Sequence, residues 1–124
     1  MQPSQATELN MFNHLNEDHQ RELRAQIADC ALALSQGAVP LLEGVRRLAA
    51  LSFDGVGRNG DPDFGLFVAI DSQTDHLPAA TARSFCSAAW LHQCDRELAD
   101  VESFYGSDIN SACERLIARF GSEA

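Results

Sequence analysis

The chain has 124 residues, of which 45% are hydrophobic and 22% charged, with a formal net charge of −9. Those proportions describe one globular domain over residues 1–124 with enough apolar side chains for a core, and they exclude a disordered chain. All nine basic residues are arginine, which removes Schiff-base lysines and the P-loop lysine from the available chemistry.

The first predicted element runs from Phe12 to Leu34. Its apolar positions Phe12, Leu15, His19, Leu23, Ile27, Cys30 and Leu34 recur at steps of three and four residues, the pattern of an amphipathic helix. Thr7 is its expected N-cap, residues 1–7 its flexible lead-in, and Gly37 its stop. A second helix is expected from Pro40, carrying Leu41, Leu42, Val45, Leu48, Ala49 and Phe53 on one face. The glycine-rich stretch Asp54 to Pro62 reads as a loop. Asp61 followed by Pro62 is a cap and first-turn pair that opens a third segment, "DFGLFVAI". Periodicity alone leaves that segment between helix and buried strand. The Asp-Pro start, and the lack of any partner strand, favour helix. After the loop "DSQTDHLP", Ser87 can cap a long helix through Trp90, Leu91, Cys94, Leu98, Val101 and Tyr105. Gly106, Ser107 and Asp108 are candidates to kink or break it, and Ile109 to Phe120 resume the helical period. The expected fold is an all-α, single-domain bundle of four to six helices.

Charge is uneven along this plan. From Asp54 to Asp108 ten acids stand against Arg58, Arg83 and Arg96, a balance of −7; the remainder carries eight acids and six arginines. An acidic centre repels phosphate backbones and attracts a basic protein, so no nucleic acid is expected as partner. No apolar run approaches the roughly 18 residues of a membrane helix, so no membrane contact is expected. The opening "MQPSQATELN" has neither region of a signal peptide, which points to the cytoplasm. Cys30, Cys86, Cys94 and Cys113 form no C-x-x-C pair and read as small, reduced core residues.

Several stretches invite a chemical reading. Gly55 to Gly60 matches G-x-G-x-x-G, but a helix pattern precedes it and acids follow, the wrong context for a pyrophosphate. In "HLNEDH" (His14 to His19), His14 shares a helix face with Glu17 and Asp18, and His19 falls on the apolar stripe as a core histidine. The six residues resemble the H-M-N-x-D-H run of a domain attached to some haem-utilisation and flavin-binding split-barrel proteins. That resemblance implies metal or haem binding, although the rest of the chain has no barrel pattern. A metal-dependent hydrolase using His14, Glu17, Asp18 and His76 is one alternative. Ser72, His76 and the neighbouring aspartates are local in sequence, which is weak ground for a triad. No catalysis, cofactor or metal is expected. Asp71, Ser72, Thr74 and Asp75 instead have the turn chemistry of short oxygen-bearing side chains. Asp75 is the expected cap of a helical turn with Pro78 in its first turn, and Arg83 the expected partner of Asp71 or Asp75.

The pattern Ile70-Asp71-Ser72-x-Thr74-Asp75-x-Leu77-Pro78, followed by Arg83, Leu91, Asp95, Glu97, Glu102, Tyr105, Ala112-Cys113 and Leu116-Ile117, resembles a family of small, largely uncharacterised bacterial proteins with an I-x-S-[EQ]-T-D-x-L-P core. The resemblance covers roughly residues 41–120; the family pattern has a tryptophan near Phe85 and basic residues near His92, where this chain differs. Some similar proteins lie beside secreted or contact-dependent toxins, which implies an immunity role. The expected function is therefore a non-catalytic acidic protein that neutralises a basic toxin domain by stoichiometric binding. Asp71, Asp75, Asp95, Glu97, Asp100 and Glu102 are the expected partner contacts, with Ser72, Thr74, Pro78 and Arg83 holding the turn. A helical regulatory or stress-response module is the other alternative.

Overall fold

The structure is a computed structural model that describes the backbone of residues 3–53 and 61–121, and the side chains within those ranges from residue 17 onward. Its elements are α1 (Pro3–Ser35), α2 (Leu41–Ser52), α3 (Pro62–Gln73), a 3₁₀ helix η1 (Ala80–Phe85) and α4 (Ala88–Phe120). Among the described residues there is no strand. The all-α expectation holds, and the segment left between helix and strand is helical.

Local signals set most of the boundaries. Gly37 has φ +71°, a conformation that costs glycine nothing. Its N–H donates to Leu34 O at 3.2 Å and the Ala38 N–H to Ala33 O at 2.9 Å, the paired bonds that satisfy a helix C-terminus. Asp61 caps α3 by accepting from the Asp63 N–H at 3.0 Å, with Pro62 in the first turn. Ser87 caps α4 by accepting from the Trp90 N–H at 3.1 Å. Pro40 sits at the N-cap of α2 rather than inside it, and Phe53, the C-cap, is exposed instead of joining the apolar face.

α1 packs on α4, α4 on α3, α3 on α2 and α2 back on α1, so the four helices close a ring. Ile27, Ala31, Val45, Leu48, Phe67, Ile70, Cys113 and Leu116 fill its centre. A smaller cluster of Leu42, Leu77 and Cys94, with Trp90 and Leu98 against it, extends along the N-terminal half of α4.

Three expectations need correction. α1 starts at Pro3, so Thr7 lies within it and is not its cap. His19 is exposed, not buried. Its stripe is apolar, but Leu23 is the first described position of that stripe to be buried, and Gly121, at the end of α4, already lies beside Ala28. α4 also continues through Gly106, Ser107 and Asp108 without a break. A lone glycine costs a helix only about 1 kcal/mol, and Tyr105 and Ile109 on either side pack on the core.

At Gly44, α2 approaches α1 closely. A Cβ built there would stand 2.8 Å from Leu34 Cδ1 and 3.2 Å from its Cγ, and the Cys30 thiol donates to Gly44 O at 3.7 Å. Overpacking of this kind costs about 1–3 kcal/mol, of which better helix propensity returns up to about 1 kcal/mol. Gly44→Ala should therefore lower the unfolding free energy by about 0.5–2 kcal/mol in urea titrations; a stabilised variant would contradict the close approach.

Candidate functional site

The candidate surface is the turn after α3 together with η1 and the N-terminal half of α4. At its root Thr74, buried, ends α3: its N–H donates to Ile70 O (3.0 Å) and Asp71 O (3.2 Å), and its Oγ1 donates to Ile70 O at 2.7 Å. The Leu77 N–H then donates to Thr74 O at 3.0 Å, and the Leu77 side chain enters the small cluster on α4.

Arg46, from α2, completes the turn. Its Nη2 donates to both Thr74 O and Leu77 O at 2.8 Å, while its Nε lies 3.8 Å from Asp71 Oδ1. Carbonyls turned inward need donors, and one guanidinium supplies two charge-assisted bonds. Nothing in the local pattern around "DSQTDHLP" points to Arg46, which is 28 residues away from Thr74.

The turn and η1 are also tied to α4. His76 Nε2 shares a hydrogen bond of 2.6 Å with Glu97 Oε2. Arg83 Nη2 donates to Asp95 Oδ1 at 2.9 Å and to Oδ2 at 3.2 Å. The expected pairing of Arg83 with Asp71 or Asp75 is thus replaced by Asp95, because η1 carries Arg83 across α4. The cap assignment also moves. Asp75 is exposed and has no hydrogen bond or ion pair among the described residues, while its buried neighbour Thr74 bonds the backbone. Pro78 precedes η1, whose N-cap is Ala79, so it occupies no first-turn position. Ser72, exposed in the last turn of α3, makes no side-chain bond among the described residues.

The six expected contact residues divide accordingly. Asp71, Asp95 and Glu97 are engaged by Arg46, Arg83 and His76. Asp75, Asp100 and Glu102 are exposed and unpaired among the described residues. On α4, Asp95 and Glu102 are seven residues apart and share one stripe, whereas Glu97 and Asp100 share another. Arg96 and His92 stand beside Glu97 and Asp100 in a shallow depression.

Of the hydrolase set, His76 stands apart from Asp18. His76 is held at Glu97, while Asp18 faces Phe120 across a groove; twenty-three residues of α4, about 35 Å, separate those levels. The His14 side chain and the glycine motif Gly55 to Gly60 lie outside the described residues. Among the described residues no three His, Cys, Asp or Glu side chains converge on a common metal position.

All four cysteines are free. Burial pushes the Cys113 thiol up to about 11 and raises Cys30 and Cys94 as well, the Cys94 shift reinforced by the Glu97 charge. Thiols held protonated are poor nucleophiles.

A second charged cluster, which the sequence reading does not anticipate, joins the start of α3 to the end of α4. Arg115 Nε lies 2.6 Å from Asp63 Oδ1, and Arg119 meets Asp63 Oδ2 at 2.8 Å and Asp61 Oδ2 at 3.0 Å. Its one advance signal was the i, i+4 spacing of the two arginines, which puts both on one helix face. Among the described residues no helix is long and apolar enough to cross a membrane. Compared with known proteins, the chain matches no family model, no curated protein and no solved structure.

Proposed function

We propose that this protein is a non-catalytic binding module for a basic protein partner, in its most concrete form an immunity protein that covers the basic active site of a toxin domain. The observation that carries the reading is the set of exposed carboxylates, unpaired among the described residues, at Asp75, Asp100 and Glu102, borne on a turn that Arg46 braces and on α4, to which His76 and Arg83 tie that turn and η1. Unpaired surface acids on a rigid support keep their charge for a partner without reordering the backbone. The resemblance of Ile70 to Pro78 to proteins encoded beside toxins, and the net charge of −9, support the immunity form. Asp71, Asp95 and Glu97 then act as positioning residues, since each is already engaged within the fold.

The test takes the product of an adjacent toxin gene and measures association by surface plasmon resonance. The variant Asp75→Asn/Asp100→Asn/Glu102→Gln should associate about 10-fold more slowly at low salt. The difference should shrink at physiological ionic strength, where the Debye length is about 8 Å. Asp75→Ala alone should leave stability within about 0.5 kcal/mol of the wild type, as expected of an exposed residue with no bond to lose. Equal association rates at low salt would remove these carboxylates from the proposed interface.

A further inference from the structure

We infer that the groove between α1 and the C-terminal end of α4 docks a basic amphipathic helix from a partner protein, on a surface separate from Asp75, Asp100 and Glu102. The groove has a volume of about 630 Å³. Its floor is Ala25, Ala28 and Leu32 of α1, and its wall is Ile117 and Phe120 of α4. Leu32 is 44% exposed there, one of the few large apolar side chains left to solvent.

The shape favours a helix over a compact ligand. The lining positions on α1 fall on one face of the helix from Asp18 to Leu32, so the groove follows α1 for about 21 Å, the length of a helix of about 14 residues. Small side chains at Ala25 and Ala28 allow a helix axis to approach closely. Leucines or phenylalanines at i, i+3/4 and i+7 of the incoming helix would cover Leu32, Ile117 and Phe120.

Charge decides the partner's chemistry. Asp18, Glu22 and Asp29 form the outer edge of the groove, at i, i+4 and i+11 along α1. Arg21, the one basic residue among the described lining residues, lies 3.3 Å from Asp18 Oδ1. Glu22 and Asp29 are exposed and have no partner among the described residues. An apolar floor with one acidic edge matches a helix whose apolar face is flanked by arginine or lysine, and repels an acidic helix. The groove faces Phe120, twenty residues or about 30 Å along α4 from Asp100, so the two surfaces can be tested independently.

The probe is a fluorescein-labelled 18-residue peptide of leucine, lysine and alanine with its leucines on one helical face, titrated with the full chain by fluorescence anisotropy. A scrambled peptide of the same composition and a peptide with glutamate in place of lysine serve as comparisons. The basic amphipathic peptide should bind at least 10-fold tighter than either. Leu32→Glu and Ala25→Glu, both at exposed positions, should each weaken it at least 10-fold, and Glu22→Gln/Asp29→Asn at least 3-fold, with unchanged circular dichroism. Asp75→Asn/Asp100→Asn/Glu102→Gln should leave it unchanged. Equal binding of the scrambled peptide, full binding by both Leu32→Glu and Ala25→Glu, or loss only in the Asp75/Asp100/Glu102 variant would each overturn the inference. So would a dimer in sedimentation analysis that Leu32→Glu dissociates, since a second copy would then be the occupant.

Discussion

Arg46→Met should lower the unfolding free energy by about 2–4 kcal/mol, because it removes two hydrogen bonds from a charged donor and leaves their acceptors half-buried. Methionine keeps most of the aliphatic stem, so the loss reports the guanidinium rather than packing. Thr74 O retains the Leu77 N–H at 3.0 Å, but Leu77 O has no other donor among the described residues. Leu77 anchors the small cluster that holds Trp90, the chain's one tryptophan. Its emission should therefore shift to the red in the variant before global unfolding. Arg46→Lys should recover part of the loss at most, since the shorter lysine stem places its ammonium short of the Nη2 position that serves both carbonyls and offers nothing in place of the Nε beside Asp71. The turn would then hold Asp75 less firmly, and association with a basic partner should slow even though no acidic residue has changed. A denaturation midpoint equal to the wild type, with unshifted tryptophan emission, would show that Arg46 is not what holds the turn.

The contrast between Arg46 and Asp75 shows what local pattern can and cannot convey. Caps and stops are encoded within a few residues, so Asp61-Pro62, Ser87 and Gly37 were legible from their neighbours alone. At Thr74 and Asp75 two adjacent short side chains are equally able to bond the backbone. Only the burial of Thr74, set by packing on α2 and α4, selects between them. The partner of Arg83 was obscured for the same reason: Asp95 lies on another element, reached through the path of η1. His19 illustrates a different limit. A stripe of apolar spacing identifies the face of α1 that can pack, but not how far along it α4 extends. The number of acids on α4 is plain in the sequence, yet number does not distinguish carboxylates engaged by Arg83 and His76 from those left for a partner.

Asp63→Asn should cost about 1.5–3 kcal/mol at pH 7, less than the 3–5 kcal/mol of a fully buried pair because Arg115 and Arg119 are themselves half in water. Asp63 is only 8% exposed, and both of its oxygens are occupied, Oδ1 by Arg115 at 2.6 Å and Oδ2 by Arg119 at 2.8 Å. Burial pushes its carboxyl group up. The hydrogen bonds and charges of the two guanidinium groups outweigh that and hold it below the usual carboxylate range. It also sits in the first turn of α3, where a negative charge meets the positive end of the helix dipole. A carboxylate whose folded pKa is depressed contributes its stability in full above the unfolded value, about 3.9. It loses that contribution as pH falls through the lower folded value. The gap between wild type and Asp63→Asn should accordingly stay constant from pH 7 to about 5 and close progressively below about pH 4. Arg119→Met should lose the bonds to both Asp61 and Asp63 and loosen the α3 cap, whereas Arg115→Met removes a single bond and should cost less. Urea titrations at pH 7, 5, 4 and 3 decide the matter. A gap that persists unchanged at pH 3 would mean that the substituted amide disturbs packing at the head of α3, and that the charge of Asp63 is not what joins α3 to α4.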